Sequence, residues 1–149
     1  MSFTLPPIAK AAERLLLDIE QAVSRFPRTH RYTAGESLRQ MAMTVAETTH
    51  RAWRERRRQA EWDYRLVWAI DALKIRLQLC SQLRAFVSFA QFEMLARQAK
   101  ARGKQAGGWY RQLSGQQHPT GQSAHGDHAD AQRAQTLSTR GTSAWEVYR

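Results

Sequence analysis

Residues 66–111, LVWAIDALKIRLQLCSQLRAFVSFAQFEMLARQAKARGKQAGGWYR, decide the fold that this sequence predicts. In the first half of the stretch, apolar or small residues recur with the i, i+3, i+4, i+7 spacing of one buried helix face. They are Leu66, Ala69, Ile70, Leu73, Leu77 and Cys80. The pattern breaks at residues 83–87, so we predict that the helix ends there.

A second amphipathic helix is predicted after this break. Ser88 can cap its first turn, and Gln91 follows at the spacing of a capping box. Apolar or small residues then recur at Phe92, Leu95, Ala96, Ala99, Ala106, Trp109, Tyr110 and Leu113. A row of cations on a different face consists of Arg97, Lys100, Lys104 and Arg111. We therefore expect this helix to bury one face and to present a basic one.

Two more helices are predicted upstream. The first begins between Thr4 and Pro7, because proline is tolerated in a first helical turn, and it ends at Pro27. Residues 28–32 follow as a short basic loop, and Thr33 with Glu36 has the capping-box spacing that starts the second helix. Gly35 in that first turn indicates close packing or a close approach of the backbone. This helix ends in the charged run RERRR at residues 54–58.

Four helices of about 18–25 residues with short connections favour one architecture. We predict an all-α protein in which residues 1–113 form an antiparallel four-helix bundle with up-down-up-down topology. Residues 114–149 are polar, rich in turn-forming residues and poor in apolar ones. We predict that this second segment is a disordered tail, because it offers too little apolar surface to fold.

The formal net charge of +10 is concentrated in the predicted bundle. Residues 1–113 carry 20 Lys and Arg against 10 Asp and Glu, whereas residues 114–149 carry three of each. Most of the positive charge is arginine, whose planar guanidinium suits bidentate contacts with phosphate. The excess favours an anionic partner, which can be a nucleic acid or an acidic protein surface.

The sequence offers little that would support catalysis. Glu47 and His50 have the E-x-x-H spacing of carboxylate-bridged di-iron bundles, but the sequence contains no second such motif. Glycine-rich phosphate loops, nucleophile elbows and zinc-ligand clusters are missing too. We expect a protein without enzymatic activity, metal or cofactor. With a single cysteine, no recognisable signal peptide and no membrane-spanning run, we expect a cytoplasmic location.

Large apolar residues outside the main apolar stripe predict self-association. Trp62, Trp68 and Ile75 are interpreted as lying off the Leu66 stripe, where they would be exposed in a single bundle. Exposed tryptophans beside arginines can stack on nucleic-acid bases, but a second apolar patch on a helix more often forms an oligomer interface. We therefore predict a homo-oligomer that uses these three residues.

A set of short motifs gives residues 8–113 a family resemblance. The motifs are Phe26-Pro27-Arg28, Arg31-Tyr32-Thr33 with Gly35, Gln91-Phe92-Glu93 and Gly107-Gly108-Trp109. With these motifs on four predicted bundle helices, the chain resembles the accessory variability determinant proteins of bacterial diversity-generating retroelements. It is similar also to the four-helix-bundle proteins encoded in intervening sequences of bacterial 23S ribosomal RNA genes. The basic excess favours the retroelement branch.

The resemblance implies a barrel-shaped homopentamer with a basic surface that binds the reverse transcriptase of the retroelement and template-repeat RNA or DNA. In that system the reverse transcriptase copies the template with errors at adenines, and the accessory protein is required without being the catalyst. By residue type, the basic surface of the family corresponds to Arg28, Arg31, Arg54, Arg56, Arg57, Arg58, Arg65, Lys74, Arg76, Arg84, Arg97, Lys100, Lys104 and Arg111.

The expected function is therefore nucleic-acid binding by an oligomer that supports mutagenic cDNA synthesis. The alternative is a protein-interaction scaffold of the intervening-sequence type, whose arginines contact an acidic partner. The placement of charge distinguishes the two. A continuous basic surface favours a nucleic acid, whereas arginines paired with Glu and Asp of the same chain favour a scaffold.

Overall fold

A computed structural model describes residues 6–116 of the chain, which are helical almost throughout. The helices are α1 (Pro7–Ser24), α2 (Arg28–Arg31), α3 (Ala34–Arg54), α4 (Gln59–Gln82) and α5 (Phe89–Gln116), and a 3-10 turn spans Arg56–Arg58. These residues contain no β-strand. The prediction of an all-helical protein with four long helices packed together is confirmed for them. The predicted tail lies outside the described residues from residue 117 onward.

The helix boundaries follow local chemistry at several points. Pro7 is the first residue of α1, where its missing N–H needs no partner. At α5, the backbone N–H of Gln91 donates to the Ser88 hydroxyl over 3.2 Å, which confirms the predicted N-cap. α5 then continues to Gln116, three residues past the predicted end of the bundle at Leu113.

The end of α4 is closed by a Schellman motif. The N–H of Ala85 donates to the carbonyl of Cys80 over 3.0 Å, and the N–H of Arg84 donates to the carbonyl of Ser81 over 2.9 Å. Arg84 has a φ of +57°, the left-handed conformation that glycine usually occupies in this motif. The turn between α4 and α5 is thus hydrogen-bonded despite the lack of a glycine.

Two predictions about residues 28–36 were wrong. Residues 28–31 form the short helix α2 rather than a loop, because Pro27 is a suitable residue before a first turn and its carbonyl accepts from His30 and Arg31. The capping box at Thr33 does not form. Its hydroxyl donates instead to the carbonyl of Thr29 over 3.3 Å, so α2 uses the group that was expected to cap α3.

The four long helices enclose one apolar core. α1 packs against α3 and α5, and α4 also packs against α3 and α5. Each long helix contributes side chains that are fully buried, among them Leu15 and Ile19 of α1, Leu38 and Val45 of α3, Leu66, Ile70, Leu73 and Leu77 of α4, and Leu95 of α5. The i, i+3, i+4, i+7 spacing that predicted the α4 stripe therefore corresponds to its buried face.

Distinct contacts hold each end of the bundle. At the end that contains the α3–α4 connection, which we call the joint end, Trp53 and Trp109 line the same cavity as Ile8. At the opposite end, Phe26 packs edge-on against Phe86, with ring centroids 5.0 Å apart. Arg76 there donates to the carbonyl of Ser37 over 2.7 Å.

Gly35 allows α3 to approach the turn before it. A Cβ atom at this position would lie 2.7 Å from Cγ1 of Val23 and 3.1 Å from the carbonyl oxygen of His30. Both neighbours are constrained, since Val23 is fully buried and the carbonyl belongs to the backbone. The close packing that the sequence indicated at Gly35 is confirmed.

We predict opposite effects of alanine at two helical glycines. Gly35→Ala should lower the free energy of unfolding by roughly 1–3 kcal/mol, because the added methyl overpacks the site. Gly107→Ala is the matched control, since its Cβ would meet nothing within 4 Å. It should raise the free energy of unfolding by about 0.5–1 kcal/mol through its better helix propensity. Urea denaturation followed by circular dichroism measures both, and equal effects would contradict the packing at Gly35.

Candidate nucleic-acid interface

The α3–α4 connection presents three arginines that have no partner among the described residues. α3 ends at Arg54, Glu55 leaves the helical region with φ −89° and ψ 76°, and the 3-10 turn follows. Arg54, Arg56 and Arg57 are exposed, and none of them forms an ion pair or hydrogen bond within the described part of the chain. We call these three residues the joint arginines. They form the densest group of unpaired cations in the described bundle.

Other arginines of the same region are held by carboxylates. Arg58 makes two hydrogen bonds of 2.9 Å each with the carboxylate of Glu61, and Arg65 donates to the same carboxylate over 3.1 Å. The hydrogen bonds from Arg58 lower the pKa of Glu61 and keep it charged. Among the predicted basic residues of the joint, Arg58 and Arg65 are therefore partly neutralised.

Trp62 anchors this arrangement. Guanidinium carbons lie 4.8 Å (Arg65), 5.2 Å (Arg51) and 5.9 Å (Arg58) from the centroid of its ring system, within the range of cation–π attraction. Its indole N–H donates to the carboxylate of Glu55 over 2.6 Å. The side chain thus joins the last turn of α3 to the first turns of α4.

Two adjoining cavities open at the joint end. The first has a volume of about 430 Å³ and is lined by Pro6, Ile8, Trp53, Arg56, Gln59 and Trp109. The second, of about 400 Å³, is lined by Pro7, Ile8, Lys104, Gln105, Gly108, Trp109 and Gln112. Ile8 and Trp109 border both cavities. We call the first one the joint cavity, because Arg56 of the 3-10 turn forms part of its wall.

A buried carboxyl lies one helical turn from this cavity along α4. Asp63 follows Gln59 by four residues, is 0% exposed, and has no hydrogen-bond partner for either carboxyl oxygen within the described residues. Burial raises its pKa to about 7. Sequence reasoning missed this residue, although its position three residues before Leu66 and seven before Ile70 places it on the buried stripe.

The remaining predicted basic residues are spread around the bundle. Four of them have partners within the bundle. Arg31 donates a hydrogen bond to the carbonyl of Phe26 and Arg76 to that of Ser37, whereas Lys74 forms an ion pair with Asp71 and Arg97 with Glu93. The other five, all of them exposed, are Arg28, Arg84, Lys100, Lys104 and Arg111. The predicted stripe of Arg97, Lys100, Lys104 and Arg111 is thus exposed along α5, with Arg97 partly neutralised.

The outward face of α4 carries a second apolar stripe. Trp68 and Ile75 are 56% and 59% exposed, and Tyr64 and Leu79 extend the stripe with 50% and 52% exposure. Spacings of four and seven residues keep these side chains on one face over about 22 Å of helix. Tyr64 also contacts the ring of Tyr110 near the end of α5, with centroids 5.9 Å apart.

Trp62 does not belong to this outward stripe. It precedes Leu66 by four residues and so lies next to the buried face of α4, half-buried against the arginines described above. Its interpretation as off-stripe was wrong for this reason. Of the three residues predicted for an oligomer interface, the structure places Trp68 and Ile75 together on one exposed surface.

Glu47, His50 and Cys80, which the sequence offers for metal or thiol chemistry, do not form such a site in the described part of the chain. Glu47 is exposed, while Nε2 of His50 lies 2.9 Å from a carboxylate oxygen of Glu13 on α1. Within residues 6–116, His, Cys, Asp and Glu side chains form no group of three suited to a metal ion. Burial raises the pKa of the Cys80 thiol to about 11, which keeps it protonated and unreactive.

Comparisons with known proteins gave no match to this chain. They covered models of protein families, curated proteins and solved structures. In the described part of the chain, every helix is too short or too polar to span a bilayer.

Asp63 should make stability depend on pH in a defined direction. Below pH ~4 the carboxyl is protonated in both states, and above pH ~7 it is ionised in both. Between these values the unfolded chain releases a proton that the folded chain retains, so a rise in pH from about 4 to about 7 lowers the contribution of Asp63 to stability. With 1.36 kcal/mol per pKa unit, the loss is at most ~4 kcal/mol.

The matched variant Asp63→Asn isolates this contribution. Asparagine does not titrate, so the free energy of unfolding of the wild type should fall relative to that of Asp63→Asn as the pH rises through this window. Chemical denaturation at pH 4.5 and 7.5 measures the difference. Asp71→Asn, which removes a more exposed carboxylate from the same helix, controls for the change in net charge. A constant difference between wild type and Asp63→Asn would contradict the buried, ionisable state of Asp63.

Proposed function

We propose that this chain is a non-enzymatic, nucleic-acid-binding accessory protein that acts as a homo-oligomer. The observation that carries the proposal is the set of joint arginines. They are exposed, have no carboxylate partner among residues 6–116, and lie beside a cavity lined by two tryptophans. Three adjacent guanidinium groups can contact phosphates and release counterions, which gives affinity without sequence specificity. Aromatic walls next to them suit unpaired bases.

The family resemblance in the sequence extends this proposal to a cellular role. A basic four-helix protein of the accessory variability determinant type would bind a retroelement reverse transcriptase and support mutagenic cDNA synthesis from template-repeat RNA, in the bacterial cytoplasm. The joint arginines and the α5 stripe supply the basic surfaces that such a role needs. Adjacency of its gene to a reverse transcriptase gene and paired repeats is the genomic observation that tests this part.

We also propose the up-down-up-down topology for the four long helices. Two side-chain pairs between α1 and α3 support it. Glu13, near the start of α1, pairs with His50 near the end of α3. Glu20, near the end of α1, pairs with Arg39 near the start of α3. Both pairs support an antiparallel orientation of these two helices. The contact of Tyr64, near the start of α4, with Tyr110, near the end of α5, likewise supports an antiparallel orientation of α4 and α5. Short connections between successive helices agree with antiparallel neighbours.

Self-association is proposed to use the outward stripe of α4. An apolar face of this length is unusual on a monomeric protein, and its burial against a second copy would remove Trp68 and Ile75 from water. Exposed large apolar side chains on the other long helices are scattered, as with Leu17 on α1 and Met43 on α3. A ring of five subunits, as the resemblance implies, would repeat the joint arginines and raise avidity for a long strand.

The rival function is a scaffold for an acidic protein. The ion pairs of Arg58 and Arg65 with Glu61 favour it, since arginines that are already paired contribute less to phosphate binding. The joint arginines have no such pairs, and they decide our preference for a nucleic acid. The binding assay below separates the two functions, because an acidic-protein scaffold predicts no affinity for RNA or DNA.

Removal of the joint arginines should weaken nucleic-acid binding. We expect R54Q/R56Q/R57Q to lower affinity for single-stranded RNA or DNA at ~50 mM salt by at least about 10-fold, and to reduce the slope of log K against log salt by roughly 2. Fluorescence anisotropy over a salt series measures both quantities. The control R25Q/R28Q/R84Q removes the same charge from three exposed arginines at the opposite end. Equal losses in both variants would contradict a site at the joint end, and no binding by the wild type would contradict the function.

Charges on the outward stripe should dissociate the oligomer. We expect the wild type to have a mass that is a multiple of the 17.2 kDa subunit, and W68E/I75E to be monomeric, because two carboxylates would be buried in the interface. Light scattering coupled to size-exclusion chromatography measures the mass. Met43→Glu, on an exposed site of α3, should leave it unchanged. A monomeric wild type would contradict the proposed assembly.

A further inference from the structure

We propose that the joint cavity receives one unpaired base of a single-stranded nucleic acid. This inference rests on the proposed function and specifies how the strand is held. Its starting point is the composition of the wall, in which two tryptophans, one arginine and one glutamine stand beside Pro6 and Ile8. The cavity is open to solvent, and its volume of about 430 Å³ leaves room for one base.

Each polar group of the wall has a counterpart in a nucleotide. The indole ring of Trp109 offers a face on which a base can stack, an interaction open to any base. The side-chain amide of Gln59 has both a donor and an acceptor, as base edges require. Arg56 is exposed and unpaired within the described chain, so it can contact the phosphate attached to that base.

The charge of the wall disfavours cationic aromatic ligands. Among residues 6–116 no carboxylate lines the joint cavity, and Arg56 would repel a cationic ring or a methylated amine. Trp109 also borders the adjoining cavity, whose wall includes Lys104. A strand that passes Trp109 would thus meet a cation in each of the two cavities, which is the alternation of phosphate contacts and stacking typical of single-strand sites.

Base insertion makes a prediction that phosphate contacts alone do not. Electrostatic binding depends on the charge of the strand, so an oligothymidylate and an abasic strand of equal length and charge would bind alike. A base in the joint cavity adds stacking, which is lost when the base is absent. We expect the wild-type protein to bind the oligothymidylate roughly 10-fold or more tightly than the abasic strand.

Substitutions assign this difference to the cavity. Trp109→Ala should reduce the preference for the base-containing strand to less than about 2-fold, and Trp109→Phe should retain most of it, since phenylalanine also stacks. Neither should change the salt slope. Tyr32→Ala is the control, because Tyr32 is an exposed aromatic residue near arginines at the opposite end. It should leave the preference intact. Circular dichroism and thermal melting establish that each variant is folded.

The outcomes separate this inference from the function on which it rests. Equal affinity of the wild type for both strands, with a steep salt dependence, would overturn base insertion and leave nucleic-acid binding in place. No affinity for either strand at ~50 mM salt would overturn both. Since the comparison of strands uses the wild-type protein, it decides the inference even if Trp109→Ala fails to fold. A preference that Trp109→Ala retains when folded would also overturn the assignment to this cavity.

Discussion

The connection between α3 and α4 depends on the side chain of Trp62. Its indole N–H donates to the carboxylate of Glu55, and three guanidinium groups lie within cation–π distance of its ring. Glu55 and Glu61 in turn hold Arg51, Arg58 and Arg65 by ion pairs. Because these two carboxylates are already used, the arginines that neighbour them in sequence remain unpaired. The pairing of Glu55 and Glu61 with these three arginines thus leaves the joint arginines available for an external ligand.

The same end of the bundle combines features that are separate in the sequence. The first turn of α1, the end of α3, the start of α4 and the end of α5 all contribute to the walls of the joint cavity. Unpaired cations, tryptophans and an amide lie there within one short stretch of surface. Asp63 lies on the buried face of α4 close by, with no partner for its charge in the described residues. Burial raises the pKa of this carboxyl to about 7, so below that pH the group is protonated and carries no charge.

α4 is apolar on two faces, and a four-helix subunit can bury only one of them. The face with Leu66, Ile70, Leu73 and Leu77 lies in the core. Trp68 and Ile75 point to solvent on the opposite face, where they form a surface that a second copy can cover. The proposed assembly and the proposed binding surface are therefore compatible, since the outward stripe and the joint arginines occupy different parts of the subunit.

The sequence by itself determined the helices and their buried faces, because helical periodicity depends only on residues three or four apart. The core positions of α4, the Ser88 cap and the close approach at Gly35 all followed from such local relations. Local signals also misled where two elements competed for one group, as when the Thr33 hydroxyl bonded to α2 instead of capping α3. The sequence interpretation also failed for Trp62, because this residue precedes Leu66 by four positions and therefore lies next to the buried face of α4.

Only the tertiary structure decided which charges are free and which surfaces are continuous. Glu13 and His50 are 37 residues apart, and Gln98 and Asp18 are 80 apart, yet each pair is joined by a hydrogen bond of 2.9 Å. The joint cavity likewise requires Ile8, Trp53 and Trp109 from three helices. Such neighbours are set by the way the helices pack, and the pattern of residues along one helix carries no information about the side chains that a different helix places against it.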